Sequence, residues 1–370
     1  MTGSLLSDLV GRPVGALPTP AVLIDVPTMR RNIETMAAVA HGFGVHLRPH
    51  WKTSKSAEVA ALQLEAGAVG LTAATAAEVA ALVEAGVRDV FWAYPPVGEH
   101  RVGVALRAAR RSRLIVGLDS LVSAAPLAAA ADAQGAEIEV RLEIDTGLGR
   151  TGLDPDRALE TARSLAGLPG LVLEGVFTHE GHVQGLGADP DRRTEAGVAA
   201  GRLLVEVAEQ LRADGLVLTS VSVGSTAGAR SAPSVPGVTE ARPGTYVYGD
   251  ENQVAIGTVE ATDTAMTVLS RVLSTQRGEP LLVDAGIKAM SSDGSLHGDS
   301  RIGTVVSAAG GLLVGGYEEH GCVRGSSPLQ VGDLIRIRPN HACGLTNMHT
   351  HVFAVEDGVV VDIWPVLGRH

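Results

Sequence analysis

The sequence predicts a parallel (β/α) barrel of the eight-unit, TIM type followed by an all-β domain, and two observations lead to that architecture. Up to about residue 260, strand-length apolar runs and helix-length periodic segments alternate strictly, as expected of a parallel sheet wrapped by crossover helices. Beyond that point the helical period disappears, and short apolar runs separated by Gly, Asp and Ser take over. A length of 370 residues suits two such units. The expected boundaries are an N-terminal arm at 1–18, a barrel at 19–260 and a β-domain at 261–370.

Taken in order, residues 1–18 carry several Gly and Pro and few periodic apolar positions, so an arm or loop is expected. The compact run at 19–26 has strand length, and a helical spacing follows at 29–40. Val45 and Leu47 begin a second strand, which Pro49 should end because it removes a ladder donor. Helix and strand then alternate: 56–67, 70–75, 76–86, 89–94, 97–111, 113–119, 120–134, 137–145, 154–167, 171–179, 190–215 and 217–224. Gly67 is the expected stop of the first of these helices. The later runs at 266–274, 281–284, 303–306, 312–314, 334–338, 352–356 and 359–364 have strand length and nothing helical between them.

Composition narrows the function classes. The chain is 45% hydrophobic but only 3% aromatic, so its core must be built from Ala, Val and Leu. A net charge of −11 argues against nucleic acid and against an anionic membrane surface as partners. No apolar run approaches the roughly 18 residues of a spanning helix, and no signal-peptide pattern is present. A cytoplasmic protein is therefore expected. The two cysteines, Cys322 and Cys343, make no disulfide framework and matter, if at all, as thiolates.

Chemistry concentrates where strands are expected to end, the edge at which barrel enzymes carry their active residues. After the strand at Val45, Lys52 sits among Arg48, His50 and Lys55. Repulsion from these cations, with partial burial, would favour its neutral, nucleophilic amine, although a solvated basic turn reads equally well from these residues alone. Residues 143–152 end another strand in a glycine-rich turn bearing Arg150, and a simple salt-bridged turn is the competing reading. His179 and His182 follow a third strand, where either could bond a loop carbonyl and His182 could act as acid or base. At 223–228, Gly224, Ser225 and Thr226 form a small-residue turn able to present N–H groups to an anion. Tyr246 could contact such an anion or lie in the core. In extended chain, His341 and Cys343 project to one face, and imidazole plus thiolate suits Zn²⁺ with positions left for water and substrate. His349 and His351 repeat that spacing downstream.

Arg48-Pro49-His50-Trp51-Lys52-Thr53-Ser54-Lys55 resembles the Arg-Pro-His-x-Lys-Thr-His-Lys signature of the D-threonine aldolase and D-serine dehydratase family. These are fold-type III pyridoxal-phosphate enzymes similar in architecture to alanine racemase. The resemblance extends to Asp145-Thr146-Gly147 with Arg150 and Gly152, to the His179–His182 element, to Gly224-Ser225-Thr226, to Arg242-Pro243-Gly244-Thr245-Tyr246 and to Asn340-His341-Ala342-Cys343. It implies that Lys52 forms the Schiff base, that Arg150 reaches the cofactor ring, and that His179 packs on the cofactor. It further implies that Gly224, Ser225, Thr226 and Tyr246 hold its phosphate, with His182 as acid or base. Two departures stand out: Ser54 replaces the family's histidine, and Ala227 replaces a proline.

The function implied is that of a lyase using pyridoxal 5'-phosphate and Zn²⁺, or another divalent metal such as Mn²⁺, on D-β-hydroxy-α-amino acids. The family's dehydratases carry Asn-His-x-Cys and its aldolases a His-x-Asp pair, so Cys343 favours a D-serine or D-threonine type dehydratase. A D-threonine aldolase is the alternative, and an amino-acid racemase or a non-catalytic cofactor carrier are further ones. The resemblance also implies a homodimer, in which the β-domain of one subunit approaches the barrel mouth of the other.

Overall fold

The computed structural model describes residues 6–307 and 310–369. Two compact units emerge. One contains the described residues up to Glu34, Thr53–Val59 and Thr245–Leu367; the other contains Thr35–Lys52, Ala60–Gly244 and the residues from Gly368 onward.

The second of these is the barrel. Its eight parallel strands run in the order His46–Leu47, Glu240–Ala241, Ser220–Val223, Leu171–Phe177, Ile138–Glu143, Arg113–Leu118, Asp89–Trp92 and Leu71–Ala73. The outer two meet, because Thr72 N–H donates to Pro49 O at 2.8 Å and His50 bridges Thr72 in parallel. The central strands are almost wholly buried, as strands covered by helices on one side and filled on the other must be. Helix starts follow local chemistry: Thr75, Ser120 and Asp189 each cap a helix by accepting backbone N–H groups.

The interior of the barrel is charged. Glu240 accepts from Arg48 Nε at 2.7 Å, from Arg141 Nη1 at 2.5 Å and from Ser222 Oγ at 2.6 Å, while Arg141 Nε also reaches Glu174 at 2.5 Å. Burial alone would raise the Glu240 pKa, but Arg141 and Arg48 outweigh it and hold the carboxylate below its usual range. Phe91 and Phe177 meet edge to face at 5.0 Å, and the Arg141 and Arg242 guanidinium groups lie over Phe91. A side chain at Gly117 would put Cβ 2.7 Å from the Phe177 ring, so that position is closed to anything larger.

The other unit is built on a nine-stranded sheet, ordered Leu281–Val283, Gly321–Arg324, Leu312–Gly316, Gly303–Val305, Leu334–Pro339, Met266–Ser274, Ala21–Asp25, His351–Glu356 and Val359–Pro365. All neighbours are antiparallel except Ala21–Asp25 with His351–Glu356. Val14, Leu17, Leu23, Leu269, Phe353 and Val360 form one of its apolar clusters.

Here the structure departs from three expectations. The strand within 19–26, expected to open the barrel, is paired in the nine-stranded sheet instead. The eighth barrel strand is Glu240–Ala241, only two residues long. The segment expected as an arm makes a short 3₁₀ turn at Val14–Ala16, and Val14 and Leu17 are buried in the apolar cluster of the sheet; residues 1–5 of that arm lie outside the described residues. No helix among the described residues is long and apolar enough to cross a membrane.

Candidate active site

Five loops leave the C-terminal ends of the barrel strands, and each carries one of the polar clusters. After His46–Leu47 the chain turns through the 3₁₀ segment Trp51–Thr53. Pro49 ends the ladder as expected, Trp51 is fully buried as the anchor, and Lys52 is half-buried beside it. The Lys52 N–H points to His50 Nδ1 at 3.4 Å. His50 is held well below its usual pKa, first by burial and then by the charges of Lys52, His179, Arg242 and Arg150. Those same influences show that all five groups share one region.

His179 follows the strand Leu171–Phe177, and its Nδ1 is hydrogen-bonded to Gly224 O. Burial, reinforced by Lys52, lowers its pKa to about 3, so the ring is neutral at working pH. A Cβ at Gly181 would lie 2.8 Å from His179 Nε2, which makes glycine the residue that lets the imidazole sit there. Glu180, with no exposure, accepts the Gly224 N–H at 2.9 Å and fixes the start of the Gly224–Gly228 turn. Within that turn Ser225 Oγ accepts from Gly228 N–H at 2.8 Å. The Ser225 and Ala227 amides donate to nothing among the described residues. Unsatisfied amides in a turn at a strand end suit an anion such as a phosphate. A Cβ at Gly228 would meet Glu180 Oε1 at 2.7 Å.

Arg150 projects from the loop after Ile138–Glu143 and is exposed. That loop is shaped by Asp145, whose carboxylate collects the N–H groups of Gly147, Leu148 and Gly149 at 2.9–3.2 Å. Gly147, Gly149 and Gly152 have positive φ, and a Cβ at Gly152 would lie 2.8 Å from Asp145 N. His182 lies against Gly147, and its buried Nδ1 meets no hydrogen-bond partner among the described residues. Arg242, beyond Glu240–Ala241, donates to Thr178 O at 2.6 Å and to Ser222 Oγ, tying two strand ends together; burial lowers its pKa to about 10.

His341 and Cys343, the expected metal pair, belong to the other unit. The expected geometry was an extended chain with His341 and Cys343 on one face. Instead His341 is extended and occupies the position before the helix Ala342–Met348, so Cys343 lies in its first turn. The two side chains are nonetheless hydrogen-bonded to each other. The Cys343 thiolate, aided by the Asp250 carboxylate and opposed by burial, raises His341 well above its usual pKa. Among the described residues no group of three or more His, Cys, Asp or Glu is placed to hold a metal, so the pair would leave coordination positions open.

The structure therefore brings Lys52, Arg150, His179 and Gly224–Thr226 to one end of the barrel. His341, Cys343 and Tyr246 lie in the other unit, where Tyr246 is buried on a 3₁₀ turn. His349 Nε2 bonds Ala289 O at 2.9 Å, and His351 starts a strand with its pKa lowered by burial. In the same unit Lys288 and Glu319 pair with each other at an exposed corner, 3.0 Å apart. Sequence reasoning gave no role to Glu180, Arg242, Thr53 or Asp250, although the first three stand inside motifs it quoted, and it counted His50 among the cations around Lys52, whereas burial and the charges beside it keep its ring neutral.

Comparison with known proteins gives the family. The model of the alanine racemase N-terminal domain matches residues 24–252, and that of the serine dehydratase domain matches 265–355. The chain belongs to the alanine racemase-like family. Within the family it is 38% identical to D-threo-3-hydroxyaspartate dehydratase from Delftia sp. (strain HT23), across 88% of this chain and 91% of that protein. Solved structures of that dehydratase include a histidine-to-alanine mutant (TM-score 0.91, 35% identity, 98% of each chain). They also include a cysteine-to-alanine mutant in metal-free form (TM-score 0.89, 36% identity, 96% of this chain and 99% of that one). The D-threonine aldolase from Filomicrobium marinum is also similar, at 29% identity and a TM-score of 0.89, covering 96% of this chain and 97% of that one. The family's alanine racemase-like architecture thus accounts for both the parallel barrel and the antiparallel β-domain.

Proposed function

We propose that this chain is a lyase dependent on pyridoxal 5'-phosphate and a divalent metal, acting on D-β-hydroxy-α-amino acids as a dehydratase. One observation carries the reading: an imidazole and a thiolate lie side by side at His341 and Cys343, with no third protein ligand among the described residues. The similar dehydratase has a histidine and a cysteine two positions apart that were each replaced by alanine, the second structure being metal-free. Zn²⁺ suits an imidazole–thiolate pair, and Mn²⁺ is the alternative ion.

The barrel residues fit pyridoxal phosphate by their chemistry. Lys52 offers an amine, the unsatisfied Ser225 and Ala227 amides with Gly224 and Thr226 offer an anion cradle, and Arg150 offers a charge for the ring. When bound, the cofactor supplies an electron sink for the substrate's Cα, and the metal supplies a Lewis acid for its β-hydroxyl. Lys52 Nζ is then the base that takes the Cα proton. His50 and His179, kept neutral, pack and hydrogen-bond without adding charge beside Lys52 and Arg150. His182, with Nδ1 unpartnered, carries a proton at the departing hydroxyl. Loss of hydroxide, followed by addition of water and loss of ammonia, converts the substrate to a 2-oxo acid.

Cleavage of Cα–Cβ to glycine and an aldehyde is the second reading, and the similarity to the Filomicrobium aldolase supports it. Cys343 favours elimination, since a thiolate-bound metal is a milder Lewis acid, better suited to carrying off hydroxide than to holding an alkoxide. We also read the protein as a cytoplasmic homodimer without nucleic-acid or membrane partners; the acidic net charge supports the last point. The direct experiment is chelation followed by reloading. Keto-acid formation should stop with a chelator, return with Zn²⁺ or Mn²⁺, and fail to return in His341→Ala and Cys343→Ala, while every variant keeps its cofactor. Full turnover by either variant after exhaustive chelation would refute the metal site.

A further inference from the structure

Each member of the proposed metal pair touches a buried side chain, and the two side chains are different. His341 Nδ1 lies 3.0 Å from Oδ2 of Asp250, a carboxylate with no solvent exposure. The same oxygen accepts the Ala342 N–H at 3.0 Å, and Oδ1 accepts the Gln253 N–H at 2.9 Å, capping the helix Glu251–Ala255. With three donors converging on it, Asp250 has no room to swing. On the other ligand, Cys343 Sγ lies 3.1 Å from Oγ1 of Thr53, which is also fully buried. Thr53 is the next residue after Lys52 and shares its 3₁₀ turn.

Resting on the metal reading above, we propose that Asp250 and Thr53 are the positioning residues of the metal pair. Asp250 holds His341 as the Nδ1–H tautomer, so that Nε2 is the nitrogen offered to the cation. Thr53 donates its hydroxyl hydrogen to the Cys343 thiolate and so fixes which sulfur lone pairs remain for the metal. An open site with only two protein ligands gains little from ligand number, and the orientation of those two ligands then decides how tightly the ion is held. A purely structural role for Asp250 is the alternative, because it also caps a helix. The two roles separate cleanly: serine caps helices well but is too short to reach both Gln253 N–H and His341.

The test uses the cofactor-loaded protein, stripped of metal by chelation and titrated with Co²⁺ by equilibrium dialysis and absorption spectroscopy. Asp250→Asn and Asp250→Ser should each weaken Co²⁺ binding by about 10–100-fold and alter the cobalt ligand-field bands. Thr53→Val, which keeps both ligands and the helix cap, should shift the sulfur-to-cobalt charge-transfer band and weaken binding less. His341→Ala should abolish binding. Unchanged affinity and spectra in the Asp250 and Thr53 variants, alongside lost binding in His341→Ala, overturn the positioning roles and leave the metal site intact. Unchanged affinity in His341→Ala overturns the metal reading itself.

Discussion

The strand-end loops of the barrel and the helix start at His341 both hold half-buried histidines, but in opposite electrostatic company. His50 and His179 lie among Lys52, Arg150 and Arg242, and burial plus these cations keeps them neutral. His341 lies against the Cys343 thiolate and Asp250, and those anions raise its proton affinity. The same side chain is thus prepared for two jobs. In the barrel it can pack and hydrogen-bond without adding charge beside Lys52 and Arg150. In the β-domain the anions that now favour a proton on His341 are the field that a divalent cation would answer.

The largest expected effect comes from removing the amine around which the barrel cations gather. Lys52→Ala should lower turnover by about 10³-fold or more and abolish the visible absorbance of bound cofactor. If Lys55→Ala removes that band while Lys52→Ala retains it, the assignment of the lysine is wrong.

The next effect tests what balances the cations inside the barrel. Glu240→Ala leaves Arg48 and Arg141 buried without their shared carboxylate and should cost about 3–5 kcal/mol in urea unfolding. A loss under about 1 kcal/mol would mean that the network contributes no more than a surface pair does.

A smaller effect follows from the neutrality of His179. Its pKa is about 3 in the folded chain, against an ordinary value of 6.5. Between these the unfolded chain binds a proton that the native one does not, so stability rises with pH across the window and is lost as pH falls through it. His179→Asn should reduce the slope of unfolding free energy between about pH 4 and 6, by up to about 1.4 kcal/mol per pH unit. An unchanged slope would show that the ring is already protonated in the native state.

Much of this was legible in the sequence because the barrel chemistry is local. Lys52, Arg150, His179 and Gly224–Thr226 each follow a strand by a few residues, and the alternation of strand and helix located those ends. Strand period says nothing, however, about which sheet a strand joins. Ala21–Asp25 reads like a first barrel strand, yet its partners are Met266–Ser274 and His351–Glu356, hundreds of residues away. Glu240–Ala241 is too short to show a period at all. The partners of the metal pair were invisible for the same reason: Asp250 is 91 residues from His341, and Thr53 is 290 from Cys343. Within the motif Pro339-Asn340-His341-Ala342-Cys343 the spacing placed two side chains together while misjudging the backbone, since an extended residue leading into a helix brings them together as well as a strand would.

The most direct measurement of the account is a product analysis with D-threo-3-hydroxyaspartate and D-threonine, under excess pyridoxal phosphate and divalent metal. Elimination predicts oxaloacetate and 2-oxobutanoate respectively, each with one equivalent of ammonia. Predominant glycine, with glyoxylate from the first substrate and acetaldehyde from the second, would contradict it and make this chain an aldolase with a cysteine in its metal pair.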